Sequence, residues 1–77
     1  MFAGSEIVKK IREKYPAGTK IRLIHMDDLQ APTDGTLGVV TGVDDTGSLL
    51  MKWDTGSRLN LICDADGRFI DSFEVVV

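Results

Sequence analysis

The sequence predicts a mainly β domain: a small five-stranded barrel with one N-terminal α-helix. Three observations lead there. Apolar residues near the start fall at helical spacing, from Lys20 onward they fall at a period of two, and glycine-bearing turns cut the period-two stretch at near-regular intervals. The 77 residues fit one domain, 1–77, and leave no room for a second. A chain this short has a thin core, and small domains often lean on disulfides, metal or oligomerisation.

The helix is expected over residues 5–15. Ser5 is a good N-cap, and Glu6 follows it where negative charge favours the helix dipole. Ile7, Val8, Ile11 and Tyr15 then form one apolar stripe, while Lys9, Lys10, Arg12 and Lys14 occupy the other faces. Pro16 stops the helix, and Pro16-Ala17-Gly18 turns the chain. So short a helix is not stable alone in water, so the stripe must pack on something, capping one open end of the barrel.

The barrel is expected over residues 18–77. In the first strand Ile21, Leu23 and His25 alternate with Arg22, Ile24 and Met26. A polar connection, Asp27 to Gly35, follows; it is long for a hairpin loop, and long loops in small barrels often carry recognition. Thr36 to Val43 is the second strand, with Leu37, Val39 and Val43 in one phase and Gly38 and Gly42 marking a bulge or bend in the other. Ser48 to Trp53, Ser57 to Cys63 and Phe73 to Val77 complete the set. They are joined through Asp54-Thr55-Gly56 and Asp64-Ala65-Asp66-Gly67, with Arg68 to Ile70 extending the last turn as a short hairpin. A long loop after the first strand, then three strands in a meander, fits an SH3-like barrel better than an OB-fold, which would want longer strands and a helix where only Asp54-Thr55-Gly56 stands.

Charge is unevenly placed. Residues 1–22 carry Lys9, Lys10, Arg12, Lys14, Lys20 and Arg22 against Glu6 and Glu13, giving +4, and the remainder carries Lys52, Arg58 and Arg68 against ten acids, giving −7. A basic leading segment on an acidic body argues against a barrel that binds nucleic acid over its whole surface. Cys63 is the only cysteine, which excludes a disulfide within the chain and reads as a small buried hydrophobe. No secretory pattern opens the sequence and no apolar run approaches the roughly 20 residues of a membrane span, so a cytoplasmic location is expected.

Several runs carry a resemblance. Tyr15-Pro16-Ala17-Gly18-Thr19, Leu23-Ile24-His25-Met26-Asp27-Asp28, Ala31-Pro32 and Gly35-Thr36-Leu37-Gly38-Val39-Val40 stand in order before Val43-Asp44-Asp45-Thr46-Gly47, Trp53-Asp54-Thr55-Gly56-Ser57 and Asp71-Ser72-Phe73. Together, over Tyr15 to Val77, they resemble a small bacterial family catalogued as domain of unknown function 4314, met in gut-type Gram-positive bacteria and their mobile elements. The resemblance implies a compact SH3-like barrel and brings no assigned activity, so no functional residue is carried across. The chain departs from the pattern in a longer Cys63 to Ile70 segment and in Leu29, where a proline often follows the Asp-Asp pair.

Candidate chemistry is sparse. Asp44-Asp45 and Asp64/Asp66 precede glycines and read as turn formers. Asp64-Ala65-Asp66-Gly67 is no calcium loop, since Arg68 and Val75 stand where ligands are required. His25 and Cys63 stand alone, so neither a zinc site nor a general base with its nucleophile is expected, and no glycine-rich phosphate loop exists. No catalytic residue, metal or cofactor is expected.

The binding surface is expected at the 25–35 loop and beside it: His25, Met26, Asp27, Asp28, Trp53 and Arg58. Asp27-Asp28 suits a basic peptide or a divalent cation. Trp53 shares the phase of Leu49 and Met51, which favours the core, but if exposed it would stack on a ligand between Lys52 and Arg58. The expected function is a non-catalytic module binding a protein or extended peptide, as monomer or homodimer and away from membranes. The alternative is a nucleic-acid-associated accessory protein of a mobile element, using Lys9, Lys10, Arg12 and Lys14.

Overall fold

The computed structural model describes residues 3–76. One helix precedes four strands: α1 (Ser5–Lys14), β1 (Lys20–His25), β2 (Leu37–Val43), β3 (Leu49–Trp53) and β4 (Ser72–Val75). All strand pairs are antiparallel, in the order β3-β2-β1-β4. The architecture is mainly β with one helix, but the sheet is open and four-stranded, which corrects the expected closed five-stranded SH3-like barrel. Val77, placed in the last strand by the sequence pattern, lies outside the described residues, as do Met1 and Phe2.

The strand that does not form is the one expected over Ser57 to Cys63. This segment does return beside β3, where Leu49 and Leu61 exchange backbone hydrogen bonds of 2.9 and 3.1 Å. Between that bridge and the Asp54-Thr55-Gly56 turn, side chains take the backbone partners a ladder would use. Asn60 Oδ1 accepts the Met51 N–H at 3.2 Å, and the Trp53 indole N–H donates to the Leu59 carbonyl at 2.8 Å. With the Trp53 N–H donating to the Ser57 carbonyl at 3.0 Å, these bonds stand where a continuous ladder would run, and the segment stays coil. A second isolated bridge, Cys63 to Phe69, ties a short hairpin over residues 62–70, with the Ile70 N–H donating to the Ile62 carbonyl at 2.9 Å.

Two register shifts decide which side chains face inward. In β1, Ile21 and Leu23 are fully buried, but a shift against β4 between Leu23 and His25 leaves His25 exposed and Met26 buried. In β2 the inward phase belongs to Gly38 and Val40, and Leu37 is exposed. Gly38 pairs with Trp53 across the sheet, and a Cβ there would lie 2.5 Å from Trp53 Cε3. The indole therefore occupies the space a side chain would need. A further shift between Val40 and Gly42 bends β2 where the second glycine stands.

Gly4, not Ser5, caps α1, with its carbonyl accepting the Val8 N–H at 3.0 Å and no side-chain cap. Val8, Ile11 and Tyr15 are buried, and Ile7 is half-buried against them. The helix does not cover a barrel mouth. It lies against β2 and two turns whose glycines have positive φ: a Cβ at Gly47 would sit 3.2 Å from Ile11 Cδ1, and one at Gly67 would sit 2.6 Å from Ile7 Cγ2. Arg12 fastens the helix further, donating to the Val43 carbonyl at 3.2 and 3.3 Å and pairing with Asp45 at 3.1 Å. Tyr15, Phe69 and Phe73 meet edge to face with centroids 5.0 to 5.8 Å apart, joining the helix end to the hairpin and β4. The core centres on Trp53, Ile21, Leu23, Leu49, Leu61 and Val40, each contributing roughly 1.5–3 kcal/mol by burial.

Candidate functional site

The loop after β1 is shaped by its own aspartate. Asp28 Oδ1 accepts the Gln30 N–H at 2.7 Å, and the Ala31 N–H donates to the Asp28 carbonyl at 3.1 Å. This local turn sets Asp27 and Asp28 at one wall of a surface groove of about 590 Å³. The opposite parts come from the Asp44 to Ser48 turn, the Arg58 to Ile62 coil and the Ile70-Asp71 approach to β4. Ile62 and Ile70 line it while standing 52% and 72% exposed, so its rim is apolar and open to solvent.

The lining is acidic. Asp27, Asp28, Asp44 and Asp71 face one cation, Arg58, for a formal charge of −3. Burial pushes the Asp71 carboxyl above its ordinary range, the neighbouring charges of Asp28 and Asp27 push it further, and His25 opposes them. Asp44 moves the other way. Burial raises it, but its Oδ1 accepts from Thr46 Oγ1 at 2.6 Å, Thr46 N at 2.9 Å and Ser48 N at 3.0 Å, and these bonds bring the carboxyl below its usual value. Asp44 is thus committed to its turn, and Asp71 is the carboxyl whose charge is least at ease.

Four of the six expected binding residues, Met26, Asp27, Asp28 and Arg58, come together here. His25 does not line the groove; its Nδ1 lies 3.3 Å from Asp34 Oδ1. Trp53 is only 1% exposed, so the stacking surface considered for it does not exist; its contribution is to hold the Leu59 carbonyl in the groove wall. Of the helix cations, Lys9, Lys10, Arg12 and Lys14 all lie elsewhere, and Arg12 is engaged with Val43 and Asp45. Asp71, Asn60, Ile62 and Ile70 were not singled out by sequence. Ile62 carried a signal, since it stands between the in-phase Leu61 and Cys63 and must point the other way. Asp71 carried none, because its neighbours in space are more than forty residues back in the chain.

No group of three or more His, Cys, Asp or Glu among the described residues is placed to hold a metal ion. Cys63 is buried, its Sγ donating to the Thr46 carbonyl at 3.3 Å, and burial followed by the charges of Asp64 and Asp44 pushes its thiol up. No helix among the described residues is long and apolar enough to cross a membrane.

Fold and groove define a small mainly β domain with an open antiparallel sheet, a packed N-terminal helix and an acidic, apolar-rimmed surface groove. Residues 4–70 match the sequence model of a family described as "Domain of unknown function (DUF4314)", and the chain belongs to that family. The match starts before the helix, so α1 is part of the family unit, and it stops before Asp71-Ser72-Phe73, which the resemblance had included. No curated protein and no solved structure matches the chain.

Proposed function

We propose that the protein is a non-catalytic cytoplasmic interaction module whose acidic groove takes an extended protein segment bearing lysine or arginine beside apolar residues. The observation that carries this reading is the convergence of Asp27, Asp28 and Asp71 with exposed Ile62 and Ile70 in one groove. Acidic walls attract and orient a basic segment, and the isoleucine rim supplies apolar area to bury against it. Arg58 opposes a uniformly cationic ligand and favours one with an acid or carbonyl at that point. A bacterial setting, in a mobile element, is part of the same reading and rests on the family resemblance; a single buried, unpaired cysteine is compatible with a reducing compartment.

Selection from a random peptide display library tests the function. The expected result is enrichment of sequences mixing basic and apolar residues, with binding weakened about tenfold or more by Asp27→Asn/Asp28→Asn or by Ile70→Asp, as loss of desolvated charge pairs and rim contacts implies. Selected peptides that bind these variants as well as the native chain would place the contact surface elsewhere.

A further inference from the structure

We propose that a second cleft, on the other side of the 62–70 hairpin, binds the phosphodiester backbone of a single-stranded nucleic acid. The cleft, about 580 Å³, lies between α1 and the hairpin. Lys10 and Lys14 line it from the helix and Arg68 from the hairpin, against one acid, Asp66, for a formal charge of +2 where the first groove has −3. Among the described residues none of these three cations makes an ion pair; Lys14 Nζ lies over the Tyr15 ring, 5.5 Å from its centroid, a contact that leaves its charge unneutralised. The site is distinct from the peptide groove and does not depend on its function.

The cation set differs from the run that the sequence displays. Arg12 is withdrawn, because its guanidinium is held by the Val43 carbonyl and Asp45. Arg68 is brought in from fifty-six residues away by the seating of Gly67 under Ile7. Lys10 and Lys14 stand one helical turn apart, ~6 Å along the axis, close to the spacing of successive phosphates in an extended strand. Between the cations the floor is apolar, with half-buried Phe69 and Ile7, which gives an unpaired base a surface to lie on. A duplex keeps its bases stacked inside and has no use for that floor, which is why the single strand is the occupant.

Fluorescence anisotropy with a labelled oligothymidylate of about fifteen nucleotides tests the assignment on the intact chain. Three phosphate contacts predict a log–log salt slope of about −2, so affinity falls about twentyfold between about 50 and about 200 mM salt. Arg68→Ala brings the slope to about −1.4 and Lys10→Ala/Lys14→Ala/Arg68→Ala abolishes binding, while Lys9→Ala and Asp27→Asn/Asp28→Asn leave it unchanged. Circular dichroism of each variant confirms the fold. Absence of binding at the lower salt, tighter binding to a duplex, equal losses in Lys9→Ala and Arg68→Ala, or sedimentation showing that the cleft instead joins two copies of the chain would each overturn the proposal.

Discussion

Gly38 shows how one missing side chain organises this core. The Trp53 ring lies across it, and an added methyl would meet Cε3 at 2.5 Å, Cδ2 at 3.0 Å and the Lys52 carbonyl at 3.1 Å. The ring is fully enclosed and its N–H is bonded to Leu59, so it has no easy retreat. Gly38→Ala is therefore expected to destabilise the protein by about 1–3 kcal/mol, as overpacking does, read as a lowered urea midpoint with an unchanged m-value. Asp71 behaves differently. Its folded pKa is raised, so it contributes stability that is fully present below its ordinary value of 3.8 and is lost as pH rises through the folded value. Asp71→Asn removes that loss: it raises stability at neutral pH by at most ~0.5 kcal/mol, the scale of part-exposed substitutions. The gain shrinks as acid protonates the native carboxyl. Urea titrations at neutral and acid pH check this, and a variant less stable at neutral pH would show that the Asp71 carboxylate is favoured where it stands.

At the scale of the elements, α1 is the piece least able to exist alone. Ten residues with no side-chain cap do not hold a helix in water. What holds it is the docking of Ile7, Val8 and Ile11 onto turns where Gly47 and Gly67 offer no Cβ, and the Tyr15–Phe69–Phe73 cluster at its end. Ile11→Ala is expected to cost about 2–5 kcal/mol. That is a large share of the stability of so small a domain, and thermal melts should show a Tm lowered by about 8 °C or more, at about 4–8 °C per kcal/mol. Lys9→Ala, on the exposed face of the same helix, is the control and leaves Tm within about two degrees.

For the whole molecule, the consequential fact is that the sheet does not close. β1 and β2 are flanked on both sides, but β4 has a neighbour only in β1. The Val76 N–H donates to Lys20 and the register pairs Arg22 with Glu74, so the alternation of an antiparallel ladder turns the Phe73 and Val75 amides away from β1. Hydrogen exchange should find the slowest amides in β1 and β2, with those of Phe73 and Val75 the fastest within the sheet. Strong protection at Phe73 and Val75 would mean that another strand covers this edge in solution. The 62–70 hairpin has a second large-scale effect. It divides the surface into an acidic groove and a basic cleft, so a chain of modest net charge presents two faces of opposite sign.

Local chemistry was legible in the sequence. The turn glycines Gly18, Gly35, Gly47, Gly56 and Gly67 all carry positive φ, because each ends a turn that only glycine completes without strain. The helical stripe and the burial of Ile21, Leu23, Leu49 and Met51 follow from period alone, and Met26, Asp27, Asp28 and Arg58 line one groove. Only the tertiary structure decided the rest, because each remaining outcome depends on partners distant in sequence. Leu37 and Val39 look like the core phase of β2 until Trp53 arrives over Gly38 and claims the other face, and Val43 packs on the core only because the register shifts between Val40 and Gly42. Ser57 to Cys63 has the alternation of a strand, yet Asn60 and the Trp53 indole take its backbone partners and the barrel stays open. Asp71 and Arg68 acquire their surroundings only when the last hairpin folds back on the first loop and the helix. Period and turn chemistry act over a few residues and can be read along the chain, whereas competition for a backbone partner or a core position is settled only in three dimensions.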